Sequence, residues 1–141
     1  MSLPRFRVPV SGRLLRDDSG AAMVEFAIAS SVFLTILLAI FEFGYAAWAR
    51  NGVAADAREG ARYAIVHGSQ SGRSADSATI ANVVKAKTSL DNTIVVVTTW
   101  ASASHDPGTN VTVKVKHAVA RRGPFIPAHT DSSTSTQVIL F

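Results

Sequence analysis

The stretch GAAMVEFAIASSVFLTILLAIFEFGYAAWARNGVAADAREGARYAIVHG, residues 20–68, decides the architecture of this chain. Between Glu25 and Glu42 it holds FAIASSVFLTILLAIF, which carries no charge. Residues 21–49 would measure about 44 Å as a helix, at ~1.5 Å per residue. The hydrocarbon core of a bilayer is about 30 Å thick. The stretch therefore predicts one membrane-spanning helix over residues 21–49.

The residues that flank this span predict its orientation. Aromatic side chains gather at its far end, as is typical of a membrane–water interface. They are Phe41, Phe43, Tyr45 and Trp48. The near end is preceded by the arginines that the positive-inside rule assigns to the cytoplasm, namely Arg5, Arg7, Arg13 and Arg16. We therefore expect the N-terminus in the cytoplasm and the residues after the span on the far side of the membrane.

After the span, the pattern becomes amphipathic and no residue stops the helix before Val66. Small residues recur at three- and four-residue steps and allow close packing of the helix on a neighbour. They are Ala57, Gly60, Ala61 and Ala64. The sequence predicts one helix from about 22 to 66, ended by Gly68, with residues 50–68 exported. Its small-residue face packs on the chain's own domain, on another subunit, or on both.

Residues 69–141 are predicted to form a small periplasmic α+β domain. A second helix begins after a cap at Ser74 or Asp76. Three strands of an antiparallel sheet follow, predicted at 94–100, 110–120 and 136–141. Valines alternate with polar residues in the second strand and predict its buried face, at positions 111, 113, 115 and 119. So few elements bury little surface alone, so we expect the sheet to cover the exported half of the long helix. The fold class is α+β, with a long N-terminal helix and a three-stranded antiparallel sheet.

Composition excludes several classes of function. The chain has 141 residues, a mean hydropathy of +0.22 and no cysteine, so disorder, disulfide scaffolds and thiol chemistry are excluded. The four histidines lack metal-ligand spacing, and no phosphate-binding loop is present, so we expect no metal, no cofactor and no enzymatic activity. The net charge of +4 is spread over separate segments without interleaved aromatics. Nucleic-acid binding is therefore not expected.

The start of the apolar helix has the features of a processing site. RDDSGAAMVEFA, residues 16–27, places a charged leader before Gly20, and small residues and then Glu25 and Phe26 after it. Glycine has no Cβ and lets the backbone enter a narrow protease site. A carboxylate at the edge of the hydrocarbon is costly and needs a partner, or else it lies among the headgroups as a favourable helix-start acid.

These residues resemble those of type IV pilin-like precursors, and the wider stretch over about 16–68 is similar to the TadE-like family of minor pilins in tight-adherence (Flp) pilus systems. The resemblance rests on three groups of residues, namely Gly20 followed by Glu25-Phe26-Ala27, then Phe41-Glu42-Phe43, and then the run AREGAR at 57–62. The family usually has a proline where Ser31 stands here. Major Flp pilins favour tyrosine after the glutamate, so Phe26 favours a minor pilin.

The resemblance implies a role for several positions. A prepilin peptidase would cut between Gly20 and Ala21 and remove the leader 1–20. The Glu25 carboxylate would then neutralise the new terminus of a neighbouring subunit. The implied partners are this peptidase, other pilin-like subunits and the inner-membrane assembly platform. The resemblance thus implies a non-enzymatic minor pilin (pseudopilin) that serves surface attachment.

Two questions stay open at this point. Glu42 lies about 25 Å along the helix from Glu25, and with Phe43 it either snorkels to the outer interface or contacts another subunit. The export signal also has alternatives. Ala47-Trp48-Ala49 has the small-x-small pattern of a signal-peptidase site, which would release a secreted domain near Ala49. An uncleaved single-pass membrane adaptor is the third possibility.

Overall fold

A computed structural model describes residues 18–91 and 93–140, with side chains from Gly20 onward. The leader arginines that support the orientation lie outside the described residues. The elements are helix α1 at Asp18–Val66, helix α2 at Ser77–Lys87, and strands β1 at Val95–Trp100, β2 at Asn110–Val119 and β3 at His129–Val138. The α+β class, with one long N-terminal helix, one short helix and three strands, is confirmed. The described residues divide into two units after Leu38.

The first unit is the N-terminal part of α1, and its surface is almost entirely apolar. Within the helix Gly20–Val66, an 18-residue stretch is apolar enough to cross a membrane, and none of that stretch is buried in the structure. Two of the hydroxyls in this part donate hydrogen bonds within the helix. Ser31 donates to the Ala27 carbonyl at 2.7 Å, and Thr35 donates to the Ser31 carbonyl at 2.7 Å. These bonds allow the two polar residues to lie in an apolar environment.

The second unit, which begins at Ala39, contains the rest of α1, α2 and the sheet. The strands are antiparallel in the order β1-β2-β3. Val113 in the central strand is paired with Thr98 of β1 and with Ser135 of β3. Alternate residues of β2 are buried as predicted, and they join the small residues of α1 in one core. The alternation also buries His117, which was not among the predicted core residues.

Helix α2 begins and ends with defined caps. The Asp76 carboxylate accepts a hydrogen bond from the Thr79 N–H at 2.7 Å, which satisfies a free donor of the first turn. The Thr88 N–H donates to the Val84 carbonyl and closes the last turn. Thr88 also donates its hydroxyl hydrogen to the partly buried Asp56 of α1 at 2.6 Å. The caps therefore fix α2 in length and tie its end to α1.

The third strand was predicted at the wrong place. It was expected at 136–141, but it runs from His129 to Val138, and Phe141 lies outside the described residues. The strand HTDSSTSTQV has no alternation of large apolar residues, so its sequence gives little strand signal. Its position is set by the ladder with β2, in which all ten residues of β3 have partners. The chain end is held by Ile139, which is buried, and by Leu140, whose N–H donates to the Ile65 carbonyl at the end of α1.

Candidate functional site: the apolar helix and its junction with the sheet

The residues predicted for processing and assembly lie on the surface of α1. Gly20 is half-buried, and Ala21 and Glu25 are exposed. The Phe26 ring is 74% exposed. Glu25 makes no salt bridge with any residue that the structure describes. The structure therefore places these four positions on one accessible stretch of helix, where a protease or a neighbouring subunit could reach them.

The apolar surface continues along α1 far beyond these residues. Monomeric soluble proteins rarely expose a contiguous apolar surface of this extent, which instead marks contact with a membrane or a partner. The large exposed side chains between Glu25 and Gly44 are Phe26, Ile28, Val32, Phe33, Leu34, Ile36, Leu38, Ile40, Phe41 and Phe43. Hydrophobic burial against lipid or protein is worth about 25 cal/mol per Å². This helix is therefore suited to anchor the chain in a membrane.

Glu42 has a partner that neither of its two predicted roles included. Its Oε2 atom accepts hydrogen bonds from the backbone N–H of Phe125 at 3.0 Å and of Ile126 at 2.9 Å. Both donors lie in the connection between β2 and β3. Gly123 passes so close that a Cβ atom there would overlap the Glu42 carboxylate. Glu42 therefore holds this connection against α1, and no local pattern in the sequence signals a contact between residues 83 positions apart.

Aromatic and cationic side chains surround this junction. The Arg122 guanidinium lies over the Tyr45 ring, 4.2 Å from its centroid, in cation–π geometry. The Tyr45 and Trp48 rings contact each other with centroids 5.5 Å apart. Arg121 donates from Nε to the Gly123 carbonyl at 3.0 Å, which stabilises the bend of the connection. The junction thus combines two arginines with the aromatic residues that the sequence predicts for the membrane interface.

A cavity of about 430 Å³ opens beside the junction, between α1 and the start of β3. Phe43, Ala46 and Ile126 line its apolar part, whereas Arg50, Asn51 and His129 line its polar part together with Asp131. Asp131 is only 5% exposed. Its carboxylate lies 3.8 Å from Arg50 Nε and 3.6 Å from His129 Nε2, so two cationic or potentially cationic groups compensate its burial.

The small-residue face of α1 lies in the core of the chain's own domain. Ala57, Ala61 and Ala64 are fully buried, and Gly60 is buried with them. A Cβ atom on Gly60 would lie 2.9 Å from a methyl group of Val113 and 2.9 Å from one of Val84. These four residues therefore pack on the chain's own domain, because α2 and the sheet cover them. A contact between subunits would need other residues of α1.

The carboxylates with perturbed pKa values have structural partners. The Lys87 ammonium donates a hydrogen bond to Glu59 and lowers the pKa of that carboxyl. Hydrogen bonds from Thr79 lower the pKa of Asp76, and hydrogen bonds from Thr93 lower that of Asp91, to which His117 also binds at 3.1 Å. These groups stabilise helix ends and loops. None has the raised pKa of a buried catalytic acid.

The polar loops after α1 and β1 form a separate cluster, in which the Ser74 hydroxyl lies 3.3 Å from His105 Nδ1. His105 stacks on Trp100 with centroids 3.8 Å apart, and it has a positive φ of 54°. The Asp106 carboxylate accepts from Ser69 and Ser104. Asp106 is not hydrogen-bonded to His105 in the structure, so a nucleophile–base–orienter chain is not assembled. Among residues 18–91 and 93–140, no cluster of three histidine or acidic side chains could hold a metal ion.

These features define a class of protein, in which one apolar helix suited to membrane anchoring continues into a small α+β unit. The comparison with family models makes the assignment more specific. The model described as TadE-like protein matches residues 20–62, which begin at Gly20 and end near the end of α1. The resemblance to the TadE-like family is thereby confirmed over these residues. The searches of curated proteins and of solved structures give no significant match. The match covers 43 of the 141 residues, all within α1.

Proposed function

We propose that this chain is a non-enzymatic minor pilin, or pseudopilin, that takes part in assembly of a tight-adherence pilus for surface attachment. The observation that carries the proposal is the exposed apolar helix within the matched residues 20–62. In this proposal, a prepilin peptidase cuts after Gly20, and the mature chain begins at Ala21. The mature chain then associates with other pilin-like subunits and with the inner-membrane assembly platform.

The proposed topology follows the polarity of the chain. The basic leader, residues 1–20, lies in the cytoplasm, and residues 21–49 span the inner membrane. The exported part of α1 at 50–68 and the α+β domain at 69–141 lie in the periplasm or in the fibre. The aromatic residues between Phe41 and Trp48 support this arrangement, because they lie where the span would leave the bilayer.

The proposed role of Glu25 depends on its exposure in an apolar surface. A carboxylate beside hydrocarbon is costly unless a positive group compensates it. After cleavage, the Ala21 ammonium of a neighbouring subunit supplies such a group. At 4 Å, two unit charges attract by about 1 kcal/mol in water and by about 4 kcal/mol at an effective dielectric constant near 20. Desolvation of both ions reduces this gain, but a remainder of 1.4 kcal/mol changes association about tenfold.

The replacement Glu25→Gln tests this role, because it keeps the size and the helix propensity of the side chain and removes its charge. We expect the variant to be cut after Gly20, to remain in the inner membrane and to co-purify poorly with pilin-like partners. Glu59→Gln is the comparison variant, since it removes one carboxylate from the exported part of α1; its thermal midpoint is measured alongside, because Glu59 pairs with Lys87. Normal piliation and normal recovery of partners with Glu25→Gln would contradict the assembly role.

Release by a signal peptidase near Ala49 does not fit the packing of the domain. Ala49 is fully buried in the core, and α1 continues through it without a break. A cut there would separate the domain from Glu42, which holds the connection before β3. It would also remove Tyr45, which lies against Arg122. Release at this position would therefore leave an incomplete domain, whereas a cut after Gly20 removes none of these contacts.

A further inference from the structure

We propose that the connection between β2 and β3 binds anionic phospholipid headgroups on the outer surface of the membrane that α1 spans. We name residues 120–127, ARRGPFIP, the arginine loop. The inference rests on the membrane topology of the proposed function, and it adds a second membrane contact formed by the exported unit. Arg121 and Arg122 bind lipid phosphates, and Phe125 enters the headgroup region.

The position of the arginine loop is fixed by contacts with α1. The Glu42 carboxylate accepts from the N–H groups of Phe125 and Ile126, and the loop approaches it closely at Gly123. The Arg122 guanidinium lies over Tyr45, one helical turn further on. Because the uncharged part of the span ends at Phe41, these contacts place the loop where the helix leaves the hydrocarbon.

The exposed groups of the loop have the chemistry of a site for anionic lipids. Arg121 and Arg122 are both exposed, and a guanidinium binds phosphate with two parallel hydrogen bonds. Arg121 uses one of its five N–H donors within the loop, so the others are available. Glu42, whose carboxylate contacts the loop, already accepts two backbone hydrogen bonds from it, and Asp131 in the adjoining cavity is paired with Arg50. Phe125 is 41% exposed and offers a ring of the kind that favours the interface.

The neighbouring cavity changes from apolar to polar in the direction expected at a membrane surface. Its apolar residues Phe43 and Ala46 come first along α1, and Arg50 and Asn51 follow one turn later. Ile126 of the arginine loop completes the apolar part. A phospholipid has the same order of groups, with apolar chains below a charged headgroup. This order and the two arginines favour lipid over a protein partner as the occupant.

The absence of cysteine from the chain allows single spin labels to be introduced for a direct test. Three exposed alanines are each replaced by cysteine in the full chain and labelled with a nitroxide, in vesicles of known composition. Ala128→Cys reports on the arginine loop, Ala103→Cys on the connection after β1, and Ala29→Cys on the apolar span. Collision with oxygen and with a water-soluble nickel chelate measures the depth of each label in the bilayer.

We expect the Ala128 label to be protected from the chelate relative to the Ala103 label. The protection should be greater in vesicles of phosphatidylcholine and phosphatidylglycerol in equal parts than in phosphatidylcholine alone. It should fall when Arg121→Gln and Arg122→Gln are combined, and also when salt screens the charges. An Ala128 label as accessible as the Ala103 label in both vesicles would overturn the proposal and leave the loop to a protein partner. Protection that does not depend on lipid charge or on the arginines would overturn the headgroup assignment.

The Ala29 label separates failure of this inference from failure of the proposed function. If the Ala29 label is buried in the bilayer while the Ala128 label is aqueous, the span stands and the lipid site is refuted. If the Ala29 label is itself aqueous, the membrane topology is wrong and the lipid site falls with it.

Discussion

Replacing Gly60 by alanine tests the core that the small-residue face of α1 forms with α2 and the sheet. The new Cβ would lie 2.9 Å from methyl groups of Val113 and Val84, whereas carbon atoms in contact prefer about 3.5–4.0 Å. Both valines are buried, so the methyl groups can move only by an unfavourable side-chain rotation or a shift of β2 or α2. Such overpacking costs about 1–3 kcal/mol. Alanine recovers about 1 kcal/mol of helix propensity, so the net loss of stability is about 1 kcal/mol.

Urea unfolding of the full chain in detergent micelles measures this loss. In a Trp48→Phe background, Trp100 at the end of β1 is the single tryptophan and reports on the sheet. With a slope of about 1–3 kcal/mol per molar urea, the midpoint should fall by about 0.5 M. Gly44→Ala is the matched control, because nothing lies within 4 Å of a Cβ there, and it should leave the midpoint unchanged or higher. A Gly60→Ala midpoint equal to or above that of the parent would refute the packing argument.

Two further predictions concern carboxylates of the second unit. Glu42→Ala removes the acceptor of two backbone hydrogen bonds, which together are worth about 2 kcal/mol. The Phe125 and Ile126 amides should therefore exchange with deuterium tens of times faster than in the parent. Unchanged exchange would show that the carboxylate does not hold the loop. The pKa of Glu59 lies below its ordinary value of 4.5 because Lys87 donates a hydrogen bond to the carboxylate. The ion pair therefore stabilises the fold fully above pH 4.5, and this stabilisation is lost as the pH falls through the lowered pKa. The difference in thermal midpoint between the parent and Lys87→Gln should therefore be constant from neutral pH to about pH 5 and vanish in stronger acid, and a difference that persists in acid would contradict the assignment.

The elements with strong periodicity could be predicted from the sequence. The three- and four-residue spacing of Ala57, Ala61 and Ala64 indicated the buried face of α1, and the alternation of β2 indicated its buried residues. Residue type limited the cap of α2 to Ser74 or Asp76, and Asp76 is the cap in the structure. In these cases the residues that fit the local pattern are also the residues that the tertiary packing uses. The pattern was therefore enough to identify them. His117 could also have been assigned to the core, because it has the same parity as Val113 and Val115.

The remaining features depend on contacts between distant parts of the chain. Strand β3 carries serine and threonine at most positions, and only its pairing with β2 makes it a strand. The position of the arginine loop depends on Glu42, and its close approach depends on the missing Cβ of Gly123. A sequence pattern predicts neither the pairing of β3 with β2 nor the contact of the arginine loop with Glu42. Each of these contacts joins parts of the chain that come together only on folding. The cavity next to the loop was not predicted for the same reason.

The central claim is that this chain is a pilin-like subunit whose mature form begins at Ala21. Sequencing the N-terminus of the protein recovered from cells that carry the complete pilus system tests it most directly. We predict that the mature chain begins at Ala21 and that a bulky replacement, Gly20→Leu, abolishes this processing. A mature chain that begins at Arg50 would show release by a signal peptidase, and an intact start at Met1 would show an uncleaved membrane protein. Either result would contradict the pilin assignment.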